Sequence, residues 1–224
     1  MRLRVPLILF CLLVVHPFAR AGDFQWWNAL AVSGPIKDDS RFLLWFDGHA
    51  RLRDDGSELG VSIIRPGIGW KLTDRLALWQ GYARVTGHRD GPNIEEDRSW
   101  QQATYRIGKL LGGTVSSRSR FEQRFRGDTG DDTGLRFRQL FGWNYRFNDT
   151  PYSLAFWNEI FVGINDTDWG QFSGFDQNRA FFGIGRKLTA KSRVEIGYLN
   201  NHLDGGAGSS STNNNILITF FVGL

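Results

Sequence analysis

The 224-residue chain has one cysteine, Cys11, so it has no disulfide framework and no multi-cysteine zinc or iron–sulfur site. Beyond its first residues it has no run of 18 apolar side chains, which excludes a transmembrane helix. It has four histidines, and none stands at metal-ligand spacing from another. It has neither a G-x-S-x-G elbow nor a phosphate-cradling glycine loop. With 41% hydrophobic and 14% aromatic residues it is too apolar for disorder. What it has in excess is glycine, 27 residues or about 12% against a usual ~7%, together with nine Trp and eighteen Phe.

The first 21 residues read as an address. Arg2 and Arg4 precede the apolar run Val5 to Val15, and Ala19-Arg20-Ala21 is a small-x-small cleavage pattern. That is the layout of a secretory signal peptide, with cleavage near Ala21. Eleven apolar residues are too few for a membrane-spanning helix, which needs about 20. The mature chain, residues 22–224, then contains no cysteine and suits an oxidising compartment. Without Arg2, Arg4 and Arg20 the formal charge falls from +4 to +1. The apparent basicity is partly a property of the leader, and no nucleic-acid partner is expected.

From there the chain alternates with a period of two. In Gly134 to Phe147, Leu135, Phe137, Phe141, Trp143, Tyr145 and Phe147 share one face, Gln139 being the exception. Arg136, Arg138, Asn144 and Arg146 share the other. Successive strand side chains point to opposite faces, so each such segment has one greasy and one cationic side. Phe42–Arg53, Ile64–Leu72, Arg118–Arg126, Leu154–Ile164 and Arg193–Tyr198 repeat the pattern, and Phe24–Ser33, Leu76–His88, Ser99–Leu110 and Gln177–Leu188 carry it more weakly. A soluble sandwich also alternates, but with its polar face outside. Here aromatics crowd the strand ends, as in the girdles of an outer-membrane barrel, and Arg and Gly suit a narrow wet interior. Because a bilayer tolerates no unpaired strand edge, the sheet must close. The expected fold is all-β: a closed antiparallel transmembrane β-barrel of about 10–12 strands, located in the outer membrane.

Tight turns at 72–75, 110–113, 147–151 and 188–191 alternate with longer polar connections at 54–60, 89–98, 127–133, 165–176 and 204–211. Outer-membrane barrels have short periplasmic turns and longer outer loops. Eleven strand-like segments emerge, whereas bacterial single-chain barrels have an even number, and Phe24–Ser33 would have to begin outside. The final strand places Ile216, Ile218, Phe220, Val222 and Leu224 at every second position to the chain's end. This resembles the signal by which the barrel-assembly machinery recognises its clients, except that Leu224 replaces the usual terminal aromatic.

The spacing also resembles the DUF2490 proteins, a Gram-negative family. The resembling features are Trp26-Trp27, Trp79-Gln80-Gly81-Tyr82, Gln177-Asn178-Arg179, Phe182-Gly183-Ile184-Gly185 and Glu195 to Asn200 before the last strand. The resemblance implies an outer-membrane barrel and supplies no catalytic residue.

The chemistry is a basic lumen. The inward face is expected to collect Arg51, Arg53, Arg65, Arg84, Arg118, Arg120, Arg124, Arg136, Arg138 and Arg179 against few acids, with most carboxylates, including Glu95, Glu96 and Asp97, in the loops. Guanidinium groups in a low-dielectric tube attract carboxylate or phosphate. Arg118, Arg120, Arg124, Arg136, Arg138, Arg51 and Arg53 are therefore the candidate anion-binding residues. The same pattern also fits purely structural pairing inside the lumen. No catalytic residue, resident metal or cofactor is assigned, although Asp166-x-Asp168-x-Gly170 has oxygen-ligand spacing suited to Ca²⁺ and bound lipopolysaccharide. The expected function is a non-enzymatic structural or binding barrel, or a narrow channel favouring small anionic solutes. The alternative is a lipid-modifying esterase or acyltransferase, which requires a Ser, a His and an acid converging at one rim.

Overall fold

The computed structural model describes residues 21–206 and 208–224, and side chains from residue 24 onward. The expected leader, residues 1–20, lies outside the described residues. The chain forms eleven strands: β1 (Ala21–Pro35), β2 (Phe42–Arg53), β3 (Glu58–Lys71), β4 (Leu76–Gly87), β5 (Ile94–Leu110), β6 (Gly113–Arg126), β7 (Gly134–Arg146), β8 (Tyr152–Gly163), β9 (Gly174–Lys187), β10 (Ser192–Asp204) and β11 (Ser210–Gly223). They close into a barrel in sequence order, with β1 against β11.

Every neighbouring pair is antiparallel except β1–β11, which runs parallel from Phe24↔Asn214 to Ser33↔Gly223. That pair resolves the odd strand count. Phe24–Ser33 is a full strand that starts at the long-loop end, and an odd number of strands can close only with one parallel seam. At the short-turn end the seam is pinned by the Leu224 N–H, which donates to the Ser33 carbonyl at 3.3 Å.

Register follows from the alternation, since a slip of one residue would exchange the two faces. Ile64, Ile68, Phe137, Phe141, Ile184, Ile196, Tyr198 and Phe220 stand exposed on the outer surface. The inward set includes Asp47, Arg65, Arg98, Arg120, Glu122, Arg138 and Glu159, all buried. Strands run further into the long connections than the sequence suggests. β5 begins at Ile94, because Glu96 and Arg98 continue the inward face of Trp100 and Gln102. Arg84, expected inward, stands on the outer surface beside Tyr82, where it binds Glu95 and Asp97. The outer surface is also less uniform than expected. At mid-height β4 to β9 carry amides and hydroxyls, whereas β10 to β3 stay largely apolar.

At and below mid-height the lumen is filled by aromatic and aliphatic side chains. Trp27, Ala29, Ala155, Phe181, Leu199 and Leu217 form one cluster, with Trp157 stacked on Phe181 at 5.3 Å. Leu43, Trp79, Ala83 and Trp100 form the other, with Trp45 edge-on to Trp79 at 5.3 Å. The inward direction of these tryptophans was not expected. For Trp100 and Trp79 glycines make the room: a Cβ at Gly81 or Gly67 would meet the Trp100 ring at 2.2 and 2.6 Å, and one at Gly69 the Trp79 ring at 2.4 Å. The Trp100 indole therefore lies against bare backbone. It also mends the wall. The β3–β4 ladder is interrupted at Arg65 and Pro66, and proline has no N–H to give. Trp100 Nε1 donates instead to the Tyr82 carbonyl at 3.1 Å.

Candidate anion site in the lumen

Above the aromatic filling lies a network of charged side chains drawn from β2, β3 and β5 to β9. Asp47 accepts from Arg65 Nη1 at 2.9 Å and from Trp45 Nε1 at 2.7 Å. Glu96 takes Arg98 at 2.5 Å and Arg124 at 2.6 Å. Glu122 takes Arg136 at 2.7 Å and Arg138 at 2.6 Å. Glu159 takes Arg118 and Arg138, each at 2.8 Å. Such pairs are held in place because a buried charge without a partner costs several kcal/mol, roughly 3–5 when one member is removed.

A layer of side chains with at most 2% exposure crosses the lumen here: Trp100, Arg120, Glu122, Glu159, Phe161, Phe181, Leu199 and Asn215. The barrel is thus plugged by its own side chains at mid-height. On the long-loop side of this layer a cavity of about 380 Å³ remains. Its walls carry Arg51, Arg53, Arg65, Arg98, Arg136, Arg138 and Arg179, the rings of Trp27 and Phe161, and the amides of Gln25, Gln177, Asn201 and Asn213.

The arginines divide into two groups. Of the seven expected anion ligands, Arg118, Arg124, Arg136 and Arg138 are committed to carboxylates, and Arg53 pairs with Glu58 at the rim at 3.1 Å. Arg120 is fully buried, bonds Gln102 at 2.8 Å and lies 4.5 Å over Trp100, with Glu122 no nearer than 3.8 Å. Arg51 has no carboxylate partner among the described residues. Its guanidinium lies 3.9 Å over the Trp27 ring, and its buried Nε has no hydrogen-bond acceptor. Arg179, which faces Trp27 at 5.1 Å and Phe161 at 4.7 Å, bonds only neutral amide oxygens, donating to Asn201 at 3.2 Å and to the Gln177 carbonyl oxygen at 2.9 and 3.0 Å. The cavity therefore carries an uncompensated cationic pair braced by aromatic faces. Cation–π contact supplies about 0.5–2 kcal/mol and leaves the N–H edges of Arg51 available to an oxyanion, while the amides hold Arg179 beside it.

The acidic loops do other work than holding a metal. Asp168 Oδ2 accepts the Asp131 N–H at 2.9 Å, and Asp132 Oδ2 accepts the Asp168 N–H at 2.9 Å. These reciprocal bonds latch segment 127–133 to segment 164–173. Asp166 accepts the Ser173 N–H at 2.6 Å, which holds its carboxyl below the ordinary carboxylate range. No group of three metal-ligating side chains forms among the described residues. Gln171 from the same loops reaches down to Arg124 at 2.9 Å, and Trp169 covers that guanidinium at 5.1 Å. The loops thereby cover the Arg124 end of the charged network.

Among the described residues no Ser–His–carboxylate triad is seen. His49 bonds Asp47 at 3.0 Å inside the lumen, and His202 bonds Thr212 at 2.9 Å. Ser62 Oγ and His88 Nε2 are 3.0 Å apart, but no carboxylate bonds His88 among the described residues.

A family model described as "Protein of unknown function (DUF2490)" matches residues 24–212. The chain belongs to the DUF2490 family. It is also 40% identical, over 206 residues and 87% of each chain, to an uncharacterized protein of Methylorubrum extorquens. Trp27, Gln177 and Arg179, among the residues that carry the resemblance in the sequence, meet at the cavity of this DUF2490 barrel. Sequence reading missed Arg98 and the four amides as cavity residues. The signal for Arg98 was present: Glu96, Arg98, Trp100 and Gln102 occupy alternate positions. The amides carry no pattern that separates them from loop residues.

Proposed function

We propose that this chain is an outer-membrane barrel that binds a small anionic solute in the long-loop half of its lumen and does not conduct. Arg51 carries the reading: a half-buried guanidinium with a buried, unbonded Nε, stacked on Trp27 beside Arg179, open to a cavity and matched by no carboxylate among the described residues. A cation kept in such a place is stabilised by an anion that arrives from outside. The mid-height layer supports receptor behaviour over permeation. The apolar outer surface of β10 to β3 supports contact with lipid, and long loops on one end support contact with lipopolysaccharide. The outward row Ile216, Ile218, Phe220, Val222 and Leu224 supports engagement of β11 by the barrel-assembly machinery. Ser62 and His88 alone supply too little for the lipid-modifying alternative.

The test uses the full chain refolded into phospholipid vesicles and planar bilayers. It is expected to float with the vesicles, to pass no steady current, and to gain thermal stability with pyrophosphate. A ligand that binds only the folded state adds about 2.7 kcal/mol at a hundred times its Kd. An open, ion-conducting pore, or no stabilisation by pyrophosphate or citrate at millimolar levels, would contradict the proposal.

A further inference from the structure

The outer surface carries chemistry that a lipid-facing wall does not need. At mid-height Gln101 Nε2 donates to Gln80 at 3.0 Å, and Gln123 donates back to Gln101 at 2.9 Å. Ser119 Oγ donates to Gln139 at 2.6 Å, while Gln139 donates to Ser117 at 2.9 Å. Asn158 and Asn178 exchange bonds at 3.1 Å. These side chains lie on six consecutive strands, β4 to β9, close to the middle of each. Phe125, Phe137 and Phe141 are exposed on the same face above and below them. On β10, β11 and β1 the mid-height positions carry Ile196, Ile218 and Leu30, and the outward amides Asn200, Asn214 and Asn28 stand nearer the long loops, paired with each other, Tyr198 or Trp26. At mid-height the barrel wall is therefore polar on β4 to β9 and apolar on β10 to β1.

We infer that the β4–β9 face packs in the membrane against the same face of a second copy of this chain. The inference rests on the membrane placement proposed above. In hydrocarbon, amides and hydroxyls are rare on a lipid-exposed surface, because donors and acceptors left over from intramolecular pairing have no water to meet. The belt is uncharged, and each amide carries donors and an acceptor. Such a surface is complementary to itself, as a two-fold interface requires. The Ser119–Gln139 pair joins β6 to β7, with two further belt strands on either side, so it marks where the two-fold axis passes. Six strands at about 4.8 Å spacing make a face about 25 Å wide. That arc covers just over half of the eleven-strand wall, so contact between two convex barrels centres on β6 and β7 and their immediate neighbours.

The test introduces single cysteines into a Cys11→Ser background. Ser119→Cys lies at the predicted axis and Ile196→Cys on the opposite face. Each full chain is reconstituted in phosphatidylethanolamine–phosphatidylglycerol vesicles and oxidised with copper phenanthroline. Ser119→Cys is expected to give a disulfide-linked dimer and Ile196→Cys only monomer. Equal cross-linking at the two sites, or none at Ser119→Cys, overturns the interface. Sedimentation in detergent gives a second reading: twice the chain mass for the parent, and monomer for Gln101→Leu/Gln139→Leu/Asn158→Leu with an unchanged circular dichroism spectrum. A parent that floats with vesicles yet sediments as a monomer refutes the interface and leaves the membrane placement standing. A parent that does not float removes the placement, and the interface with it.

Discussion

The two ends of the lumen are built from different interactions. Toward the short turns, indoles and aliphatic side chains lie against glycine backbone. Toward the long loops, guanidinium groups and carboxylates interlock until the carboxylates run out, leaving Arg51 and Arg179 without one. The contrast shows that one residue type can serve two purposes in one barrel. Arg138 closes the plug because Glu122 and Glu159 hold it. Arg51 faces the cavity, stacked on Trp27 with no carboxylate among the described residues to hold it.

Substitutions separate these purposes. The largest effect is expected from Glu122→Ala, which leaves Arg136 and Arg138 buried without their shared partner and costs about 3–5 kcal/mol. Urea unfolding followed by tryptophan fluorescence measures it, and a loss below ~1 kcal/mol would mean that the network is not a plug. Trp100→Ala opens a void beside Gly67 and Gly81 and orphans the Tyr82 carbonyl, for about 3–5 kcal/mol in the same assay. If it unfolds at the parent's urea midpoint, the aromatic half is not a packed core. Arg51→Gln should behave oppositely. It removes a half-buried charge that has no carboxylate among the described residues, so stability changes by less than about 1 kcal/mol or rises, while anion affinity falls. The smallest effect belongs to Arg53→Ala, since its pair with Glu58 is solvent-exposed and such pairs contribute about 0–1 kcal/mol. A large destabilisation there would erase the distinction between rim and plug.

Alternation made the fold legible. The inward parity of Arg118 to Arg138, the outward parity of Phe137 and Phe141, and all eleven strands can be read from it. Alternation gives parity without saying what fills the inside. Trp79 and Trp100 fit inward because Gly69, Gly67 and Gly81 make room for their rings, a pairing between strands that no single segment displays. The run Glu95-Glu96-Asp97-Arg98 looks like a solvated loop when read as composition. As a strand it divides, with Glu96 and Arg98 in the lumen and Asp97 outside with Arg84 and the Tyr82 hydroxyl. For the site, sequence narrowed the search to the luminal arginines. Which of them lack a carboxylate depends on distances across the lumen, and only the closed barrel sets those.

Calorimetric titration of the detergent-solubilised full chain with pyrophosphate tests the central claim most directly, comparing the parent with Arg51→Gln and with Arg84→Gln on the outer surface. The account predicts one saturable site, weakened at least ~10-fold, about 1.4 kcal/mol, by Arg51→Gln and unchanged by Arg84→Gln. Equal affinity in all three proteins, or binding lost only with Arg84→Gln, would contradict it.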